Sequence, residues 1–202
     1  MKLQRMQGES NYSFLYRIYN DYGHTNLAIS SSKLIGGEMV WLGKYHFKEL
    51  IEMDQEKWLK KTYDVELGRP LTVWEYIEAA THRTTMDIEV MIDVDDVYDD
   101  ILQFPTIKKK AAFIISLLRN TTDTTGRYIS PVVHFTGNKS YHISYLDYGL
   151  RRLHKSSRRK LKGNTICKLY GDFQLVSENV TIALEGARHY RSGLIKKEVE
   201  LK

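Results

Sequence analysis

Cysteine is nearly absent from this chain of 202 residues: Cys167 is the only one. An internal disulfide is excluded, and so is a zinc site built on cysteine thiolates. No apolar stretch approaches the ~20 residues that span a bilayer. Residues 1–20 are polar and broken by charges, with no apolar signal-peptide core, so a cytoplasmic or otherwise intracellular setting is expected. His24, His46, His82, His154 and His189 form no ligand spacing, and no His-x-His pair occurs. Internal repeats, low-complexity tracts and an interdomain linker are also missing. A single domain over residues 1–202 is expected, large enough for one substantial core.

Hydrophobic residues make up 42% of the chain and charged ones 27%, as in ordinary globular proteins. Within that background one segment stands out, Asp87-Ile88-Glu89-Val90-Met91-Ile92-Asp93-Val94-Asp95-Asp96. Ile88, Val90, Ile92 and Val94 alternate with polar residues or methionine, the period of a half-buried strand. Asp93 and Asp95, two apart, project to one side about 6.5 Å from each other. Hard oxygens at that spacing can share Mg²⁺ or Mn²⁺. Asp96 points to the opposite face, as a solvated or turn residue. Taken alone, the acid pair is better read as the solvated end of a strand.

About forty residues on, the apolar run Val132-Val133-His134-Phe135 opens into Thr136-Gly137-Asn138-Lys139-Ser140-Tyr141-His142. Glycine lets backbone N–H groups approach an anion closely. Thr136 and Ser140 offer neutral donors, Lys139 a charge, and His142 a donor to a phosphate oxygen or carboxylate. The pattern reads as a phosphate cradle on a strand-turn-strand. A Walker loop is excluded, because its glycine spacing and following helix are absent. His134, within the apolar run, reads as a core residue.

The segments MIDVDD and FTGNKSYH together resemble the first two motifs of the archaeo-eukaryotic primase superfamily, in order and in separation. The resemblance is anchored on residues 86–145 and extends more weakly to about 196. It implies an α+β catalytic core with an RNA-recognition-like antiparallel sheet over residues 86–196, preceded by an α/β portion over residues 1–85. It further implies that Asp93 and Asp95 bind the catalytic Mg²⁺ or Mn²⁺. Thr136, Lys139, Ser140 and His142 would grip a nucleoside triphosphate, and Arg188 and Arg191 match the family's basic pair. The third motif departs from the pattern: aligned on Val180-Thr181, Ser177 stands where the family has an acid. Glu178 and Asp172 are the substitutes, Glu178 requiring a bulge to face the site.

The implied activity is metal-dependent nucleotidyl transfer, making or extending primers on a single-stranded DNA template. A helicase or large primase subunit is a possible partner, and the source could be cellular, viral or plasmid. The alternative is a non-catalytic primase-fold subunit that binds nucleic acid or a replication partner, which the serine at 177 favours.

The net charge of +5 is unevenly spread. Arg151, Arg152, Lys155, Arg158, Arg159, Lys160 and Lys162 follow one another with no acid between. Either this is a solvated face, or a polyanion relieves the repulsion through phosphate contacts; nucleic-acid backbone contact is the preferred reading. Tyr12, Tyr16, Tyr19 and Tyr22 could stack bases, but their spacing equally suits a helix packing on a core, and packing is preferred. Strands are expected at 26–30, 38–42 and 129–135, and helices at 45–61, 72–80 and 107–120. The 72–80 helix opens with the capping-box pattern of Thr72 and Glu75.

The third-motif alternatives separate by substitution. If an acid there completes the site, Asp172→Ala or Glu178→Ala impairs incorporation of labelled nucleotide on a single-stranded template. Ser177→Ala then leaves incorporation near the wild-type rate. Activity that survives both acid changes removes both from the ligand set.

Overall fold

A computed structural model describes residues 3–35, 38–54, 58, 63–64, 68–97, 103–164, 180–189 and 191–201. Its first half runs α1 (Asn11–Asn20), β1 (Ala28–Ile35), β2 (Glu38–His46), α2 (Phe47–Ile51), the two-residue strands β3 (Tyr63–Asp64) and β4 (Arg69–Pro70), α3 (Val73–Glu78) and β5 (Ala80–Thr84). The second half runs β6 (Glu89–Val94), α4 (Ile107–Arg119), β7 (Val132–Phe135), β8 (Tyr141–Leu146), a 3₁₀ turn (Tyr148–Arg152), α5 (Lys155–Asn164), β9 (Thr181–Ala183) and β10 (Lys197–Glu198). Two four-stranded antiparallel sheets result, ordered β2-β1-β5-β9 and β10-β7-β8-β6. The class is α+β.

Each sheet buries the face that its sequence period makes apolar. In the second sheet Val90, Ile92 and Val94 of β6 and Ile143 and Tyr145 of β8 meet Ala111, Ile114, Ile115 and Leu118 of α4. Full burial of each large side chain contributes roughly 1.5–3 kcal/mol. Thr106 caps α4 by accepting from the Lys109 N–H. In the first half, Phe14, Leu15 and Ile18 of α1 pack with Ile29, Phe47, Tyr76 and Ile77. The capping box is present: Thr72 Oγ1 accepts from the Glu75 N–H, and Glu75 Oε2 accepts from the Thr72 N–H at 2.8 Å. The α1 tyrosines pack, as expected. Tyr12 stacks on Tyr16 with ring centroids 5.9 Å apart and touches Phe47 and Trp74, Tyr19 meets Phe47, and Tyr22 is buried.

Several boundaries move for tertiary reasons. Of the helix expected over 45–61, the described residues show Phe47–Ile51 as helix, then a break over Glu52–Asp54, with Trp58 helical again. Tyr45 stays in β2 opposite Ile29, its ring edge-on to Trp58 and Tyr76. Trp58 is nevertheless fully buried and donates its indole N–H to Leu71 O. The 72–80 helix ends at Glu78, because Ala80 is already paired with Ser31 in the sheet. The strand before the cradle begins at Val132, since the Ile129 N–H is taken by Thr121 O and Pro131 has no N–H to give. Strands β1 and β2 are longer than expected, with a bulge between Ser30 and Ser32. No described helix is long and apolar enough to cross a membrane.

The two sheets are tied by a buried ion network that periodicity alone does not announce. Arg83 of β5, wholly buried, donates from Nη1 and Nη2 to the Glu89 carboxylate at 2.9 Å each. Its Nε and Nη2 donate to the Glu185 carboxylate at 3.1 and 2.9 Å. Lys196 Nζ lies 3.5 Å from Glu185 and donates to Ala183 O at 2.6 Å. Burial pushes the Glu185 carboxyl up, but Arg83 and then Lys196 outweigh it and hold it well below the usual range. Glu89 is likewise pushed up by burial and brought below its ordinary value by Arg83.

Removing the shared cation leaves two buried carboxylates uncompensated. Arg83→Met is expected to cost about 3–5 kcal/mol at neutral pH, read by denaturant unfolding. Glu89 and Glu185 have folded pKa values below the ordinary 4.5. Their stabilisation is therefore complete above that pH and fades as pH falls below it. The deficit of the variant should narrow in the same acid range.

Candidate active site

The acid pair and the cradle meet at one end of the second sheet. Asp93 and His142 are Cα partners on β6 and β8, and His142 is in turn opposite His134 on β7, which faces Glu198 on β10. Directly opposed residues share a face. One titratable row, Asp93–His142–His134–Glu198, therefore crosses the sheet on the side away from α4. Strand β6 ends at Val94, so Asp95 lies just past the ladder and is exposed. Asp96 joins α4 through a 2.9 Å ion pair with Lys110.

His142 Nε2 stands 3.6 Å from Asp93 Oδ1, a contact of charge and dipole beyond hydrogen-bond length. Asp93 Oδ1 and His142 Nδ1 are both buried with no hydrogen-bond partner among the described residues. Burial holds the His142 imidazole below its usual range, Lys196 adds to this, and Asp93 only partly opposes it. His134 is pushed down to about 4, chiefly by burial. Both rings are therefore neutral at neutral pH, each with one N–H to donate.

The cradle turn is closed locally. The Thr136 N–H donates to Ser140 O at 3.1 Å, and the two hydroxyl oxygens lie 2.8 Å apart. Gly137 has φ +90°, and a Cβ there would sit 2.6 Å from Leu194 O and 2.9 Å from His189 Cβ. Its lack of a side chain thus serves a chain-on-chain contact. Against it packs a second turn, in which the His189 N–H donates to Leu194 O at 2.8 Å, Arg188 bridges to Ile195, and Ser192 Oγ donates to Gly137 O. The turn of the second motif and the segment carrying Arg188 and Arg191 are so brought together. Lys139, Arg188 and Arg191 are all exposed there, and Arg188 Nη1 donates to Gly193 O at 3.0 Å.

Asp172, Glu178 and Ser177 lie outside the described residues. Among the described residues no three His, Cys, Asp or Glu side chains form a metal-holding group. A cleft of about 940 Å³ opens beside the row, with His134, Glu185, Arg188, Lys196 and Lys197 in its wall.

Sequence reasoning did not reach the Arg83–Glu89–Glu185–Lys196 network or the place of His134 in the row. His134 was accessible by counting. A turn closed between Thr136 and Ser140 puts 135 opposite 141 and 134 opposite 142. For Arg83 and Glu185, 102 positions apart, no local signal exists. No known family model matches the chain, and no characterised protein gives a significant sequence match.

Gly137 is the point where the two turns depend on each other. Gly137→Ala is expected to destabilise the protein by about 1–3 kcal/mol, from the positive φ and the collision with Leu194 O. A thermal melt measures the cost. Wild-type stability in that variant would mean that the two turns do not pack as described.

Proposed function

We propose that this chain is a primase-like nucleotidyltransferase that makes or extends primers on single-stranded DNA. The observation that carries the reading is the pairing of Asp93 with neutral His142 on adjacent strands, next to the Gly137 turn and its packed partner segment. That arrangement sets a carboxylate oxygen with no hydrogen-bond partner among the described residues beside a glycine turn with exposed cations around it. The resemblance of the two motifs to the primase superfamily supports it and extends the fold assignment from α+β to the primase catalytic core.

The donors fit a divalent ion. Asp93 Oδ1 is a buried hard oxygen with no hydrogen-bond partner among the described residues, and exposed Asp95 follows two residues on. Asp93 and Asp95 would hold Mg²⁺ or Mn²⁺, with Asp172 or Glu178 as the remaining carboxylate. A metal held there would supply Lewis-acid chemistry, lowering the pKa of the attacking 3′-hydroxyl and offsetting charge on the transferred phosphoryl group. His142, held neutral by burial, donates one N–H toward a phosphate oxygen. Lys139, Arg188 and Arg191 supply positive charge to the triphosphate, and the linked hydroxyls of Thr136 and Ser140 stiffen the turn that presents Lys139. The buried network beneath keeps β6 in register, so that Asp93 stays opposite His142.

Ser177 at the position of the family's third acid favours a second reading, a primase-fold subunit that binds without catalysis. Incubation with a single-stranded template, labelled nucleotides and Mg²⁺ or Mn²⁺ separates the two. Template-dependent products are expected, and Asp93→Ala or Asp95→Ala should reduce them by roughly a hundredfold or more with the melting profile preserved. His142→Ala should weaken nucleotide binding more than template binding. A folded wild-type protein inactive on every template with both metals would select the binding subunit.

A further inference from the structure

The basic run after β8 is only partly a free surface. Lys162 is buried, with Nζ on Met86 O at 3.2 Å, Arg158 donates to Leu153 O, and Arg151 reaches Tyr22 O. Arg152, Lys155, Arg159 and Lys160 are exposed along the 3₁₀ turn and α5, and residues 148–164 contain no acid. A separate loop is docked beside this surface. Asp147, buried at 4% exposure, accepts from the N–H and hydroxyl of Thr124 and from the Gly149 N–H. Gly149 leaves the room for this, since a Cβ there would fall 2.1 Å from Thr124 Oγ1. The docked loop presents Arg127 and Tyr128, both exposed. Asp123, the acid of the loop, is used internally as acceptor for the Thr125 N–H and hydroxyl and the Arg127 N–H. Tyr128 is 79% exposed, the most exposed of the large apolar or aromatic side chains among the described residues.

We infer that this surface is a track for single-stranded nucleic acid, with Tyr128 as a base-stacking residue and Arg127, Arg152, Lys155, Arg159 and Lys160 as phosphate contacts. The inference rests on the reading that the chain works on a single-stranded template, and it names the surface that holds that strand. Cations without acids attract any polyanion, by counterion release. The exposed ring narrows the class, because an aromatic face stacks on an unpaired base and finds no open base face in a duplex. Asp147 acts as a latch: it holds the loop against the turn, so that ring and cations belong to one surface although 20 and more residues separate them in the chain.

The test uses the whole protein, fluorescein-labelled oligothymidylate and fluorescence anisotropy over a range of salt, without divalent metal or nucleoside triphosphate. Tyr128→Ala should weaken binding about fivefold or more, with the salt slope unchanged and the melting temperature preserved. Tyr128→Phe should bind as wild type. Arg159→Gln together with Lys160→Gln should lower the salt slope by about 0.7 for each charge. Duplex DNA should show salt-dependent binding that is indifferent to Tyr128→Ala. Oligothymidylate binding untouched by Tyr128→Ala, or displaced as effectively by polyglutamate as by unlabelled oligothymidylate, overturns the track. Because no catalytic component is present, an inactive protein showing the expected pattern retires the nucleotidyltransferase reading and keeps the track.

Discussion

One guanidinium, that of Arg83, lies between two carboxylates with all three groups removed from water. Desolvating them costs several kcal/mol for each ion, and only well-directed hydrogen bonds offset it. Arg83 answers with its planar fork, two donors to Glu89 and two to Glu185, while Lys196 Nζ lies 3.5 Å from the same Glu185 carboxylate. The four residues come from β5, β6, the turn after β9 and the segment before β10. Displacing any one of these segments by a residue would leave a buried charge without its partner. The network therefore fixes how the two sheets meet.

The candidate site inherits that constraint. Glu89 and Asp93 stand on the same face of β6, and the strand is held in register with β8 from Glu89–Leu146 to Val94–Tyr141. With Glu89 pinned by Arg83 and by the Met86 N–H, Asp93 can face only His142. Lys196, pinned by Glu185 and Ala183 O, adds to burial in holding His142 below its usual range, whereas at His134 burial dominates and Glu185 opposes Lys196. The ion network thus acts on the site twice, through register and through charge. A site whose acid must present a defined oxygen to a cation needs such a support, since it has little tolerance for displacement.

The second sheet works with two unlike faces. One is apolar and closed by α4. The other carries Glu89, Met91 and Asp93 on β6, His142 and Ser144 on β8, and His134 on β7, and it turns toward the first sheet and the cleft. Polar groups on a buried face are costly unless they are paired. Here the ion network pairs those nearest the first sheet, while Asp93 Oδ1 and His142 Nδ1, farther along the face, have no hydrogen-bond partner among the described residues. The unmatched atoms fall at the end of the sheet where the two turns meet, which is where the proposed chemistry is placed.

What the sequence determined by itself is local. Alternation placed the apolar side of β6, the 3.6-residue stripe placed α4, the Thr72–Glu75 pair opened α3, and tyrosines three and four apart packed as a helix face. Each of these follows from backbone geometry over a few residues, where period and face are the same statement. The acid pair and the Gly137 turn were visible as residues, but their use was not. The neighbour of Asp93 is decided by β6–β8 pairing, and Gly137 accommodates Leu194, a residue far along the chain. Tertiary structure alone decided that Arg83 finds Glu185, that Tyr45 remains in a strand, and that Arg127 and Tyr128 lie beside the basic turn. A charge records in its own sequence neighbourhood that it needs a partner, and only the packing of distant segments supplies which one.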